Sequence, residues 1–245
     1  MRLRPLFLLC LVVAPAGLLA TELFHPAGFT AQPGMYEFLS KPEPYAPEHQ
    51  ALAYPGPEWW FLLHMIQTPL VGLVAVGMWL IAARISPSDG GLAVTLAWLS
   101  RAATFVFLIY YTALDAIGGF GLGRAMINTE ALAAAGRLTP DQVAGVKLLL
   151  DTNWLDPWVG GVGSFISLTG SWAVFIASIS AALALLLKRK APWPALILLV
   201  AFGWELQTSH ASPHGPIAFG LLILSALWIC WADRPRVQAR RAISP

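Results

Sequence analysis

Five long apolar runs constrain this chain more than any other feature. They lie at about 59–83, 92–119, 160–187, 192–208 and 215–232, after a shorter apolar stretch in the first twenty residues. Each approaches the roughly 20 residues that an α-helix needs to cross hydrocarbon, the fourth being the shortest. Inside lipid every backbone polar group must find its partner within the protein, which uninterrupted runs of this kind achieve as helices. The chain is 57% hydrophobic and 11% charged, whereas a soluble domain carries about 25% charged residues. Too few charges remain to clothe a soluble surface. The expected fold class is all-α: a polytopic transmembrane helix bundle of five spans, plus an N-terminal signal peptide or signal anchor.

The first twenty residues have the three parts of a secretory signal. Arg2 and Arg4 form a basic start, Leu6 to Val13 an apolar centre, and Ala14-Pro15-Ala16 or Leu18-Leu19-Ala20 a small-residue end. Cleaved or retained as an anchor, this segment directs residues 21–58 to the outer side. That stretch repeats Pro, as in Lys41-Pro42-Glu43-Pro44-Tyr45-Ala46-Pro47, and carries six Phe and Tyr residues among its 38. Repeated Pro excludes a helix interior, so an extended arm across the outer face is expected.

The polar stretch 124–158 divides the second run from the third. There Thr139-Pro140-Asp141-Gln142 has the form of a capping box with Pro at the first helical position, predicting a short outer helix over about 140–151. Simple alternation of the spans puts Arg2, Arg4, Arg84, Lys188-Arg189-Lys190 and the 233–245 tail with Arg234, Arg236, Arg240 and Arg241 on one side. The positive-inside rule makes that side the cytoplasm and the membrane the cell inner membrane, with the C-terminus inside.

The net charge of +2 is gathered in these flanks and forms no stripe, which argues against a nucleic-acid partner. There is no phosphate loop, no dinucleotide fingerprint and no HExxH or GxSxG element, which sets nucleotides aside. The two cysteines, Cys10 and Cys230, lie in separate apolar runs and form no metal or haem-attachment motif. Gly118-Gly119-Phe120-Gly121-Leu122-Gly123 follows no strand and reads as the end of a helix with a flexible exit.

Ionisable residues inside apolar runs are rare and face a bundle interior or cavity. His64 belongs to the first run, and Arg101 and Asp115 to the second. Glu205 ends the fourth, and His210-Ala211-Ser212-Pro213-His214 follows it. All except Arg101 fall toward the outer half. His64, Asp115, Glu205, His210 and His214 are therefore candidate ligand- or metal-binding residues. Arg101 is a buried charge or a contact to a membrane-protein partner, since about 21 Å of helix separates it from Asp115.

Three chemistries fit this inventory. Imidazoles with a carboxylate suit zinc, which with an open position polarises water for hydrolysis. His64 with His210 or His214 could instead be axial ligands of a haem b. A structural or accessory subunit would use the same groups, and the stripe Ser164, Ser167, Ser171 and Ser178, as interhelical seams. The sequence does not choose among a small-ligand, metal, haem or structural role, nor does it assign catalytic residues.

Overall fold

The computed structural model describes residues 4–25, 34–40 and 56–233, and every regular element among them is helical. Most of the expected arm and the basic tail from residue 234 onward lie outside the described residues. Helix α1 spans Arg4–Glu22, and the short α2 spans Met35–Ser40. Helix α3 covers Pro57–Ala82 and α4 Gly91–Ala134. Helix α5 is Pro140–Trp154, followed by α6 at Phe165–Leu187, α7 at Trp193–Thr208 and α8 at His214–Ala232.

Five of these, α1, α3, α4, α6 and α8, are long and apolar enough to cross a membrane. The five differ from the five expected runs. Helix α7 has 16 residues, about 24 Å of rise, which falls short of the roughly 30 Å hydrocarbon thickness. The N-terminal segment is a full-length helix of 19 residues.

The helices pack as a closed ring. Helix α1 lies between α3 and α8, α3 meets α4, α4 meets α6, α6 meets α7, and α7 returns to α8. Cys10, Leu11, Ala14 and Leu18 of α1 are buried in the common core with Met78, Phe107, Leu185, Phe202 and Phe219. Small residues on the facing sides permit close approach, as at Gly77, where an added Cβ would meet the Leu11 side chain at 2.6 Å. Tight packing of this sort is what joins helices in lipid, where no hydrophobic drive exists between them. The first apolar stretch is thus a stave of the bundle.

One end of the ring is knit by charge. Arg84 Nη1 donates to Asp233 at 2.7 Å, and Lys190 Nζ donates to Asp89 at 2.5 Å and to the Arg84 carbonyl at 2.9 Å. The Lys190 hydrogen bond, with a further one from the Ser86 backbone N–H, holds the Asp89 carboxyl down to about 2. Arg101 also reaches this end. Its guanidinium donates to the Ala82 carbonyl at 3.1 Å and lies 4.7 Å from the Trp98 ring centroid. The negative C-terminal end of α3 thereby serves a cation.

The Gly-rich segment does not end its helix. Helix α4 runs on through a π-helical stretch at Asp115–Gly121 and continues to Ala134. Beyond it, Thr139 and Gln142 form the expected capping box, with bonds of 3.3 and 2.8 Å, and start α5. Helix α5 turns back over the end of the bundle and anchors α2, whose Tyr36 N–H donates to Asp151 Oδ1 at 2.8 Å. Met35, Tyr36, Phe38 and Leu39 of α2 pack with Trp60, Leu122 and Met126 in a second, smaller core.

Candidate functional site

Under this small core the end opposite the ion pairs contains a cavity of about 590 Å³. Three histidines line it from three separate segments. His25 ends the turn after α1, where its N–H donates to the Glu22 carbonyl at 3.1 Å. His64 belongs to α3, two turns inside its start. His210 sits in the short connection between α7 and α8. One ligating nitrogen from each lies within 4.8 Å of the other two. The ring of His25 stands 5.3 Å from His64 and 4.7 Å from His210, centroid to centroid.

Local structure prepares these rings as ligands. His64 Nδ1 lies 2.7 Å from the Trp60 carbonyl. A carbonyl only accepts, so Nδ1 carries the proton and Nε2 presents its lone pair. This outer hydrogen bond is the usual way a ligating imidazole is oriented. Trp60 is fixed in turn, since its indole N–H donates to the Gly118 carbonyl at 3.0 Å. Burial lowers the His210 imidazole to about 4, which leaves it neutral at physiological pH.

The π-helical stretch of α4 explains the glycines. A Cβ on Gly119 would stand 2.4 Å from the His64 ring, so only glycine lets α4 approach α3 here. A Cβ on Gly161, in the loop after α5, would meet the Trp154 ring at 2.3 Å. Such π-helical insertions are frequent at functional sites, where they re-aim side chains without ending a helix. In this case the first π-helical residue, Asp115, is directed to the cavity wall.

Two buried carboxylates accompany the imidazoles. Asp115 is 1% exposed and Glu22 is 0% exposed. Asp115 Oδ2 accepts from Thr68 Oγ1 at 2.9 Å, while Oδ1 and both Glu22 oxygens find no hydrogen-bond donor among the described residues. The two carboxylates interact electrostatically with each other and with Tyr111, whose hydroxyl is bonded to Gln67. Buried oxygens without donors are uncommon, because each forfeits its hydration. A cation nearby would answer them.

Of the residues singled out in the sequence, His64, Asp115 and His210 come together on this cavity. His214 and Glu205 do not join them: they pair with one another, Nδ1 to Oε2 at 2.7 Å, both partly exposed. Arg101 is held at the opposite end by backbone carbonyls. The serine stripe serves packing in part, with Ser178 Oγ donating to the Val174 carbonyl and Ser164 acting as the N-cap of α6. Two residues at this end escaped sequence reasoning, the cavity-lining His25 and the buried Glu22. Both lie just past the apolar stretch taken for a signal. The available clue was an acid and a histidine three residues apart, at the outer end of an apolar helix.

No family model, no curated protein and no solved structure matches the chain. The functional reading therefore rests on these side chains.

Proposed function

We propose that this integral membrane protein binds a divalent transition-metal ion, best zinc, through His25, His64 and His210 at the outward end of its bundle in the cell inner membrane. The observation that carries the reading is the approach of three imidazoles from three segments to within 4.8 Å, with the His64 tautomer fixed by the Trp60 carbonyl. Tetrahedral zinc with bonds of 2.0–2.1 Å needs nitrogens about 3.4 Å apart. Modest side-chain rotation covers that difference.

Charge supports the same reading. A dication held by three neutral imidazoles keeps its full charge in a site of low dielectric. Asp115 lines the same cavity and Glu22 is buried at the same end, and three of their carboxyl oxygens lack donors among the described residues. Three His ligands leave the fourth coordination position open toward the cavity, the arrangement of catalytic rather than structural zinc. A metal-bound water there would be polarised for attack on an ester or amide, with Asp115 on the same cavity wall to accept its proton.

Haem b fits less well. A porphyrin needs a clear slab between its two axial histidines, and the His25 ring fills the space beside both His64 and His210. The accessory-subunit reading loses its main support as well, because Arg101 has its partners within the chain.

Cobalt(II) titration of the detergent-purified, metal-stripped protein tests the proposal. The expected result is one ion per chain with the visible absorption of four-coordinate cobalt. The His25→Ala, His64→Ala and His210→Ala variants should each lose it, and His214→Ala should keep it. Equal binding by wild type and the triple histidine variant would overturn the assignment.

A further inference from the structure

The cavity above the three histidines is shaped for more than water. Its inner walls are Phe38, Trp60, Leu114 and Trp154, and its rim carries Leu155 and Val162. These two rim residues are 60% and 79% exposed. Neighbouring Trp158 is 66% exposed, with its ring 5.8 Å from Phe165 in the first turn of α6. A soluble protein rarely exposes so many large apolar side chains together. At the first turn of a membrane-crossing helix, a Trp with Leu and Val belongs at the boundary between hydrocarbon and headgroups. The mouth of the cavity therefore opens at the membrane interface.

We infer that the site takes an amphiphile from the outer leaflet: a molecule with a metal-seeking oxygen head that reaches the histidines and a hydrocarbon chain that lies along the aromatic walls. This rests on the metal reading above and adds the class of ligand to it. About 590 Å³ falls in the 300–1,000 Å³ range of cavities that enclose ligands of drug size, well beyond the needs of a single water or small anion. The lining combines the imidazoles and Asp115 with these apolar side chains, and Asp156, Ser164 and Ser209 add polar groups to it.

Hydroxamates test this, because the same head can be offered with a short or a long chain. Acetohydroxamate and octanohydroxamate are titrated into the cobalt(II)-loaded full-length protein in detergent, and binding is read from the visible absorption bands. Octanohydroxamate should bind about 50-fold more tightly, the gain from burying three of its six additional methylenes. Partition into micelles also favours the longer probe, so the comparison is repeated with the Leu155→Ser/Val162→Ser protein. Both positions are exposed, and their replacement leaves the core untouched. The preference should fall below about 10-fold in that variant while acetohydroxamate affinity stays the same. Equal affinity for the two probes, or a chain-length preference unchanged in the double variant, would overturn the inference and leave the metal site standing. Absence of the cobalt bands themselves would remove the metal site and this inference with it.

Discussion

The two ends of this helix ring treat polar groups in opposite ways. At the basic end Arg84, Lys190, Asp89 and Asp233 answer one another in two ion pairs, and Arg101 is satisfied by the carbonyls that end α3. At the histidine end, carboxyl groups of 0% and 1% exposure hold oxygens with no donor among the described residues. Paired charges on a rim stiffen a bundle and contribute little else. Unpaired buried groups lower stability, and they persist where a ligand answers them. The contrast is the reason the proposed site is placed at the histidine end.

The most damaging test of that contrast is a single methyl group. Gly119→Ala drives a Cβ into the His64 ring, at 2.4 Å, and should lower cobalt(II) affinity by about 10- to 100-fold, as loss of ligand orientation does elsewhere. Gly72→Ala, in the same bundle with nothing within 4 Å of its Cβ, should leave affinity unchanged. Equal effects at the two glycines would show that His64 does not need its present position.

Glu22→Gln separates the roles of charge and packing. It should weaken cobalt(II) binding by about 10-fold, because one of the charges opposing the dication is removed. The metal-free protein should at the same time keep its melting temperature, since Gln matches Glu in size and fills the same buried place. A variant that binds metal normally and melts lower would mean that Glu22 is held by structure alone.

Acid should act selectively on the histidine end. The ligand form of His210 is the neutral imidazole, and burial lowers its protonation to about 4. Its folded value lies below that of an unperturbed histidine, so protons compete with metal only as pH falls toward that value. Cobalt(II) occupancy should hold from neutrality to about pH 5 and then fall, because ligation requires the deprotonated ring. Loss of occupancy already near pH 6.5, the unperturbed histidine value, would indicate a ring open to water.

The smallest effect is expected at the basic end. Arg84→Ala removes the bond to Asp233 and the one to the Lys190 carbonyl, and should reduce stability by about 1 kcal/mol. Thermal unfolding in detergent measures this. Metal affinity should not move, and a parallel loss would show that the two ends are coupled through the ring.

Particular residues show how far the sequence could be read. The all-α class and the capping box at Thr139 and Gln142 were legible because each depends on local pattern: long apolar runs and a four-residue cap. His64, Asp115 and His210 were legible as polar residues at or near the ends of apolar runs on one side. Their company was not. His210 and His214 were both candidates, yet His214 faces Glu205 and His210 faces His25. Residues adjacent in the chain turn to different neighbours once a loop is folded. The glycines at 118 and 119 looked like a helix end because glycine weakens helices. Here they let α4 continue in π-helical form against the His64 ring.

The amino-acid sequence by itself determined that this protein is a helical bundle in lipid with a charged end and a histidine-bearing end. Backbone hydrogen bonding in hydrocarbon allows an apolar run of this length little else. Only the tertiary structure decided that the N-terminal helix closes the ring between α3 and α8 and brings His25 to His64 and His210. The apolar pattern of α1 is the same for a helix that packs and one that is cut away. What gives α1 its place in the ring is the fit of Cys10, Leu11, Ala14 and Leu18 against neighbours distant in the chain, and such complementarity is a property of surfaces in contact.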